Sequence, residues 1–253
     1  MLTIDLNCDM GEGFGVYNLG YDAEAMPYVT SINAACGFHA ADPSTMWKTV
    51  KLAKQYGVAI GAHPGFPDLV GFGRRTMAST MDEIKADVIY QVGAMLAFCK
   101  AEGVKLQHVK IHGALYNQAE KDINTSVAVA EAIKAVDPDL YMLCLGNSIM
   151  VEGAKQVGVK YVEEAFADRA YTAQGTLVPR KQAGSVIHDV NLCAERVLSM
   201  VKDKKVTAID GTVIPISAQT ICVHGDTPGA VDMIKAIRAK LEQAGVTLKP
   251  FGA

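Results

Sequence analysis

No run of about 18 apolar residues occurs in this 253-residue chain, so the sequence predicts no membrane-spanning helix. The amino-terminal residues lack the charged and apolar regions of a secretion signal, and the expected location is the cytoplasm. Lysine and arginine never form a run of five, and net charge is −3, so nucleic acid is not an expected partner. The short basic stretch Lys202–Lys205, interrupted by Asp203, reads as a solvated turn. The six cysteines contain no C-x-x-C pair, which argues against a zinc ribbon or a disulfide framework. Cys8 and Cys36 stand beside polar clusters and are weighed as nucleophiles, although a free cysteine is more often an inert, buried thiol. Phosphate-loop motifs are missing too. Gly11, Gly13 and Gly15 follow a strand pattern, but their spacing is not G-x-G-x-x-G. Asp9 and Glu12 would place negative charge where a phosphate sits, so these glycines are expected to serve turns.

What remains is a compact globular composition, 50% hydrophobic and 20% charged. A chain of this length buries about 70–75% of its unfolded surface. Short apolar runs alternate with longer helical ones. The strand candidates are Leu2–Asn7, Val29–Asn33, Val58–His63, His108–His112, Tyr141–Leu145, Lys160–Glu164 and Thr220–His224. The helix candidates are Pro43–Tyr56, Met81–Glu102, Thr125–Val136, Ser148–Val157, Ser185–Val201 and Pro228–Ala244. Asp42-Pro43 and Thr227-Pro228 place a capping side chain before a proline, and Thr80 with Glu83 reads as a capping box. Gly57, Gly103, Gly158 and Gly245 follow helical runs as stop signals. Alternation of this kind implies parallel strands with right-handed crossovers. Seven strands suit a β/α barrel in one domain, residues 1–253, with an open doubly wound sheet as the alternative. Asp210-Gly211, between two β-branched runs, predicts a small inserted hairpin over Val206–Ile216.

Polar residues collect where the strands end: Asn7, Asp9 and Glu12; Asn33 and His39; His63; Lys110 and His112; Glu163, Glu164, Asp168 and Arg169; His224 and Asp226. In parallel β/α folds these ends share one face, where ligands bind. A single histidine there is usually a structural hydrogen-bonder. Several beside Asp9 and Asp226 suggest proton transfer near neutral pH. His108 opens its strand candidate and is assigned to the opposite, structural face. Arg74 and Arg75, after a glycine-rich turn, could grip a carboxylate or phosphate, or form a solvated loop. Asp9, His63, His112 and His224 are metal-ligand types, but no local spacing such as H-E-x-x-H supports a metal, and none is assigned.

These segments resemble the LamB/YcsF family, the A subunits of prokaryotic 5-oxoprolinase, nearly end to end. The most specific matches are DLNCDMGEGFG (Asp5–Gly15), CGFHAADP (Cys36–Pro43), GAHPGFPD with GFGRR (Gly61–Arg75), HVKIHGALYN (His108–Asn117), FADRAY (Phe166–Tyr171), LVPR (Leu177–Arg180) and VHGDTPGAV (Val223–Val231). The chain departs from the family pattern at Cys8, Ala41 and Ile111, positions that affect turn geometry more than chemistry. The resemblance implies a seven-stranded β/α barrel of the glycoside-hydrolase/deacetylase type. It also implies ATP-dependent opening of 5-oxo-L-proline to L-glutamate with partner subunits B and C. On that reading Asp9 and His63 or His112 act as the base pair, Lys110 and Arg169 stabilise an oxyanion or phosphate, and Arg74 or Arg75 holds the substrate carboxylate. Asn7, Glu12, Asn33, His39, Asp168, His224 and Asp226 complete the substrate site. Two rival readings are a stand-alone metal-dependent deacetylase-like hydrolase and a non-catalytic substrate-binding subunit.

Overall fold

A computed structural model describes residues 2–224 and 229–252. In chain order the elements are β1 (Thr3–Met10), α1 (Asp22–Ala25), β2 (Ser31–Ala35), α2 (Pro43–Tyr56), β3 (Ala59–His63), α3 (Met81–Glu102) and β4 (Leu106–Val109). Then follow α4 (Gly113–Ala119), α5 (Ile123–Val136), β5 (Tyr141–Leu145), α6 (Ile149–Val157), β6 (Lys160–Phe166) and α7 (Val190–Lys202). The chain closes with β7 (Lys205–Thr207), β8 (Val213–Pro215), β9 (Thr220–Val223), α8 (Ala230–Gln243) and β10 (Thr247–Leu248).

The helices begin and end where their caps dictate. Asp42 accepts from the amides of Ser44 and Thr45 and sets the start of α2. Thr80 and Glu83 form both bonds of the capping box on α3. Gly57, Gly103 and Gly158 close their helices in the left-handed region. The helix expected from Ser185 is shorter and starts at Val190, capped by Asp189. Ser185 is instead consumed by the preceding loop, where its carbonyl accepts from Ala170. The predicted cap Thr227-Pro228 lies outside the described residues.

Strands β1, β2, β3, β4, β5, β6 and β9 pair in that order, all parallel, and β9 pairs back onto β1. The sheet is therefore a closed seven-stranded barrel rather than an open one. β7 and β8 form the expected antiparallel hairpin, and Gly211 at its turn has φ 90°. Strand alternation divides β1 cleanly. Ile4, Leu6, Cys8 and Met10 join the apolar layer beneath the helices. Asp5, Asn7 and Asp9 turn inward, where they meet polar partners from β2 and β9.

The strand expected at His108–His112 runs instead from Leu106 to Val109, because α4 begins at Gly113. The pairing of β3 with β4 slips by one residue between Ile60 and Gly61. This bulge aims His108 into the barrel, not onto an opposite face. Gly61 lies directly opposite His108, and a β-carbon at Gly61 would overlap the imidazole ring. Ala41 holds φ 71°, a conformation that glycine adopts without strain.

Candidate functional site

The inward-facing residues build a polar column that rises through the barrel. Asp5, at its base, accepts hydrogen bonds from Thr30, Ser31 and Thr220. Burial raises the Asp5 carboxyl to about 6, against the lowering effect of those hydroxyls. One layer up, Asn7 donates to Thr220 Oγ1 at 2.7 Å, and Asn33 donates to Asn7 at 2.7 Å and to Asp9 at 2.8 Å. His108 Nε2 donates to Asn33 Oδ1 at 2.8 Å. Burial, with Lys110 adding to it, pushes His108 down to about 3, so the ring is a neutral strut. Asn7, Asn33 and His108 are wholly buried and touch Asp9 or its partners, not the cavity above.

Asp9 is the top of this column. Lys110 Nζ sits 3.1 Å from Asp9 Oδ1, 3.2 Å from Glu164 Oε2 and 2.8 Å from Cys222 Sγ. Burial alone would raise the Asp9 carboxyl. His63 and Lys110 outweigh it and hold Asp9 well below the usual carboxylate range. Burial would likewise lower Lys110, but Asp9, Cys222 and Glu164 hold its ammonium well above the ordinary value. All six cysteines are buried and free. Burial drives Cys8 and Cys222 well above the ordinary thiol value and Cys36 to about 12, which leaves none of these three a thiolate nucleophile near neutral pH.

Beside Asp9 stand three histidines. His63 Nδ1 donates to the Lys110 carbonyl at 2.6 Å, and its Nε2 lies 3.5 Å from Asp9 Oδ2. His112 Nε2 donates to the Phe72 carbonyl at 2.9 Å. His39 stacks on His112, with ring centres 3.8 Å apart. Gly73 packs so tightly against this pair that a side chain there would collide with it, and Gly65 leaves only a tight fit. Glu12 Oε1 lies 3.5 Å from His39 and 3.8 Å from His112. Across the opening, His224 Nδ1 donates to Asp168 at 2.8 Å. His224 also holds the Asp168 carboxyl low against the effect of burial.

These groups floor a cavity of about 450 Å³. Asp9, Glu12, His63, Lys110, His112 and His224 reach it, with Phe166 as an apolar wall. Its rim carries Arg74, Lys121, Arg169, Arg180 and Lys181. Arg169 lines the cavity while donating to the carbonyls of Val178 and Ser185, which pins the 178–185 loop over the opening. Arg75 does not reach the cavity. It is held by Asp68 on an exposed loop. Asp226 lies outside the described residues. The metal-ligand types divide into two groups. His63 and His112 fall with Glu12 and His39, whereas His224 falls with Asp9 and Cys222.

Sequence reasoning set His108 aside, left Glu164 and Arg180 without a role, and missed Glu120, which also lines the cavity. Glu164 stood on a strand end, a visible signal. Glu120 follows α4, a seven-residue helix too short to show a clear period.

No helix among the described residues is long and apolar enough to cross a membrane. The LamB/YcsF family profile matches residues 4–253. A Clostridium beijerinckii protein that carries the name of the 5-oxoprolinase A subunit is 52% identical over 251 residues, 99% of this chain and 98% of that one. One of Pyrococcus horikoshii with the same name is 53% identical, over 99% of this chain and 98% of its own. The crystal structure of a lactam utilization protein from Thermus thermophilus superimposes with a TM-score of 0.94. It is 49% identical, and the match covers 99% of this chain and 100% of that one. This chain belongs to the LamB/YcsF family.

Proposed function

We propose that this chain is the ring-opening subunit of an ATP-dependent 5-oxoprolinase, converting 5-oxo-L-proline to L-glutamate together with B- and C-type partner subunits. The observation that carries this reading is Asp9, kept ionised at the floor of the cavity between Lys110 and His63. The names of relatives identical at about half of all positions agree with it.

The chemistry follows from the difficulty of the substrate. A five-membered lactam is resonance-stabilised, and its nitrogen is a poor leaving group. Phosphorylation of the amide oxygen by ATP makes the ring carbon electrophilic. Water then attacks that carbon, the C–N bond breaks with its electron pair going to nitrogen, nitrogen takes a proton, and a second water hydrolyses the resulting acyl phosphate to the carboxylate and free phosphate. Asp9, with His63 or His112, takes the proton from the attacking water. Lys110, whose ammonium stays charged beside Asp9, faces the developing negative oxygen. Arg169 and Arg180 on the rim suit a phosphate, and Arg74 suits the substrate carboxylate. Arg75 is committed to Asp68 and has no part in this scheme. We assign the enzyme to the cytoplasm, where ATP is available and free cysteines persist.

Asp9→Asn keeps the shape of the side chain and removes its basicity. Glutamate release by the assembled enzyme should fall about 10²–10⁴-fold, while the circular dichroism of this chain is unchanged. Full activity in that variant would refute the role of Asp9. Mixing the subunits one at a time separates the steps. ATP hydrolysis without this chain, with glutamate appearing only when it is added, is the expected pattern.

A further inference from the structure

In their neutral forms two histidines of the cavity wall are in a conflict that a proton or a metal ion between them removes. His63 Nδ1 lies 2.6 Å from the Lys110 carbonyl, which can only accept, so Nδ1 carries the proton and Nε2 is bare in the neutral ring. His112 Nε2 lies 2.9 Å from the Phe72 carbonyl, so by the same reasoning its Nδ1 is bare. These two bare nitrogens face one another at 2.9 Å. Two lone pairs at that distance repel unless a cation lies between their directions.

Three further observations say which cation. A ring nitrogen anchored to a backbone carbonyl, with the other left bare, is the usual arrangement of a metal-ligating histidine. A separation of 2.9 Å suits neighbouring ligands of an octahedral ion. Metal–nitrogen bonds of about 2.1 Å at right angles put the two nitrogens about 3.0 Å apart. His39 supplies an independent sign. It is wholly buried, and neither ring nitrogen has a hydrogen-bond partner among the described residues. Its ligand atom and those of Glu12, His63 and His112 lie within 4.8 Å of one another. A shared proton between His63 and His112 would leave His39 unsatisfied, whereas water on an ion held by His63, His112 and Glu12 would satisfy it; His39, stacked on His112, does not share the ion in its own ring plane.

We propose that His63 Nε2, His112 Nδ1 and the Glu12 carboxylate bind one divalent transition-metal ion, of the zinc or manganese class, in the cavity wall, with His39 beside the water on that ion. Glu12, His63 and His112 line the cavity, so an ion held by them keeps positions open toward it for water or a carbonyl oxygen. The proposal stands on the histidine geometry and does not rest on the lactam assignment. If both are right, His63 and His112 are ligands and Asp9 alone is the base.

The test reads metal, not turnover. The full-length chain is stripped with chelator, dialysed and titrated calorimetrically with Zn²⁺ and with Mn²⁺. One equivalent of at least one ion should bind saturably, and the melting temperature should rise by about 5 °C or more at saturation. Glu12→Gln and His112→Gln should each weaken binding at least about 10-fold. Asp139→Asn, at a surface ion pair, should bind as the parent does. Absence of stoichiometric binding to the unmodified chain overturns the proposal, and so does binding that survives both substitutions. A single titrating proton on the His63–His112 pair, seen by nitrogen NMR in the stripped chain with either ion added, also overturns it. None of these results bears on ring opening, which the subunit-mixing assay reads separately.

Discussion

At the scale of single residues, the site depends on groups that never touch the cavity. Asp9 is aimed by Asn33, and Asn33 by His108. The space for the His108 ring exists because residue 61 has no β-carbon. Gly61→Ala is therefore expected to destabilise the protein by about 1–3 kcal/mol or more through overpacking. Urea denaturation of the purified variant measures this, and an unchanged midpoint would refute the packing argument. Asp5 makes a different prediction. Its folded-state value of about 6 exceeds the unfolded 3.8, so the folded chain holds that proton more tightly. The stability this contributes is complete below about pH 4 and is lost as pH rises through about 6. The difference of about two units corresponds to about 3 kcal/mol. Asp5→Asn cannot ionise and should lose less stability than the parent between about pH 4.5 and about pH 7.5. Denaturation curves at the two pH values give the comparison, and parallel losses in both proteins would count against it.

Among elements, what could be read in advance followed how local its cause was. The bounds of α2 and α3 were legible to the residue, because Asp42-Pro43, Thr80 with Glu83, Gly57 and Gly103 act through bonds within a turn. Thr80→Ala should cost about 1 kcal/mol, visible as a lower melting temperature with activity retained at room temperature. No loss would mean that packing alone holds the start of α3. The fourth strand was misplaced for the complementary reason. Its bulge is set by the neighbouring strand, and its end by a seven-residue helix too short to carry a period. The delayed start of α7 is similar. Ser185 is drawn away by Ala170 and Arg169, residues more than a dozen positions earlier.

For the whole molecule, closure is the decisive event. β9, near the end of the chain, fills the gap between β6 and β1 and brings Thr220, Cys222 and His224 to the column begun by Asp5, Asn7 and Asp9. A chain ended at Gln219 would leave two parallel edges unpaired and Asp5 without Thr220. It should fail to fold, giving aggregate or a non-cooperative melt. A cooperative transition near that of the full chain would show that closure is dispensable. The sequence by itself determined the alternation of strand and helix, most helix caps, the surface hairpin and the set of polar residues at strand ends, since each rests on neighbours a few positions apart. Only the tertiary structure decided that the sheet closes, that His108 and Glu164 turn inward, and that Arg75 turns away to Asp68. It alone set His39, His63 and His112 around Glu12. Those outcomes depend on register and on which strand lies beside which, and local sequence carries little energy that distinguishes one register from the next.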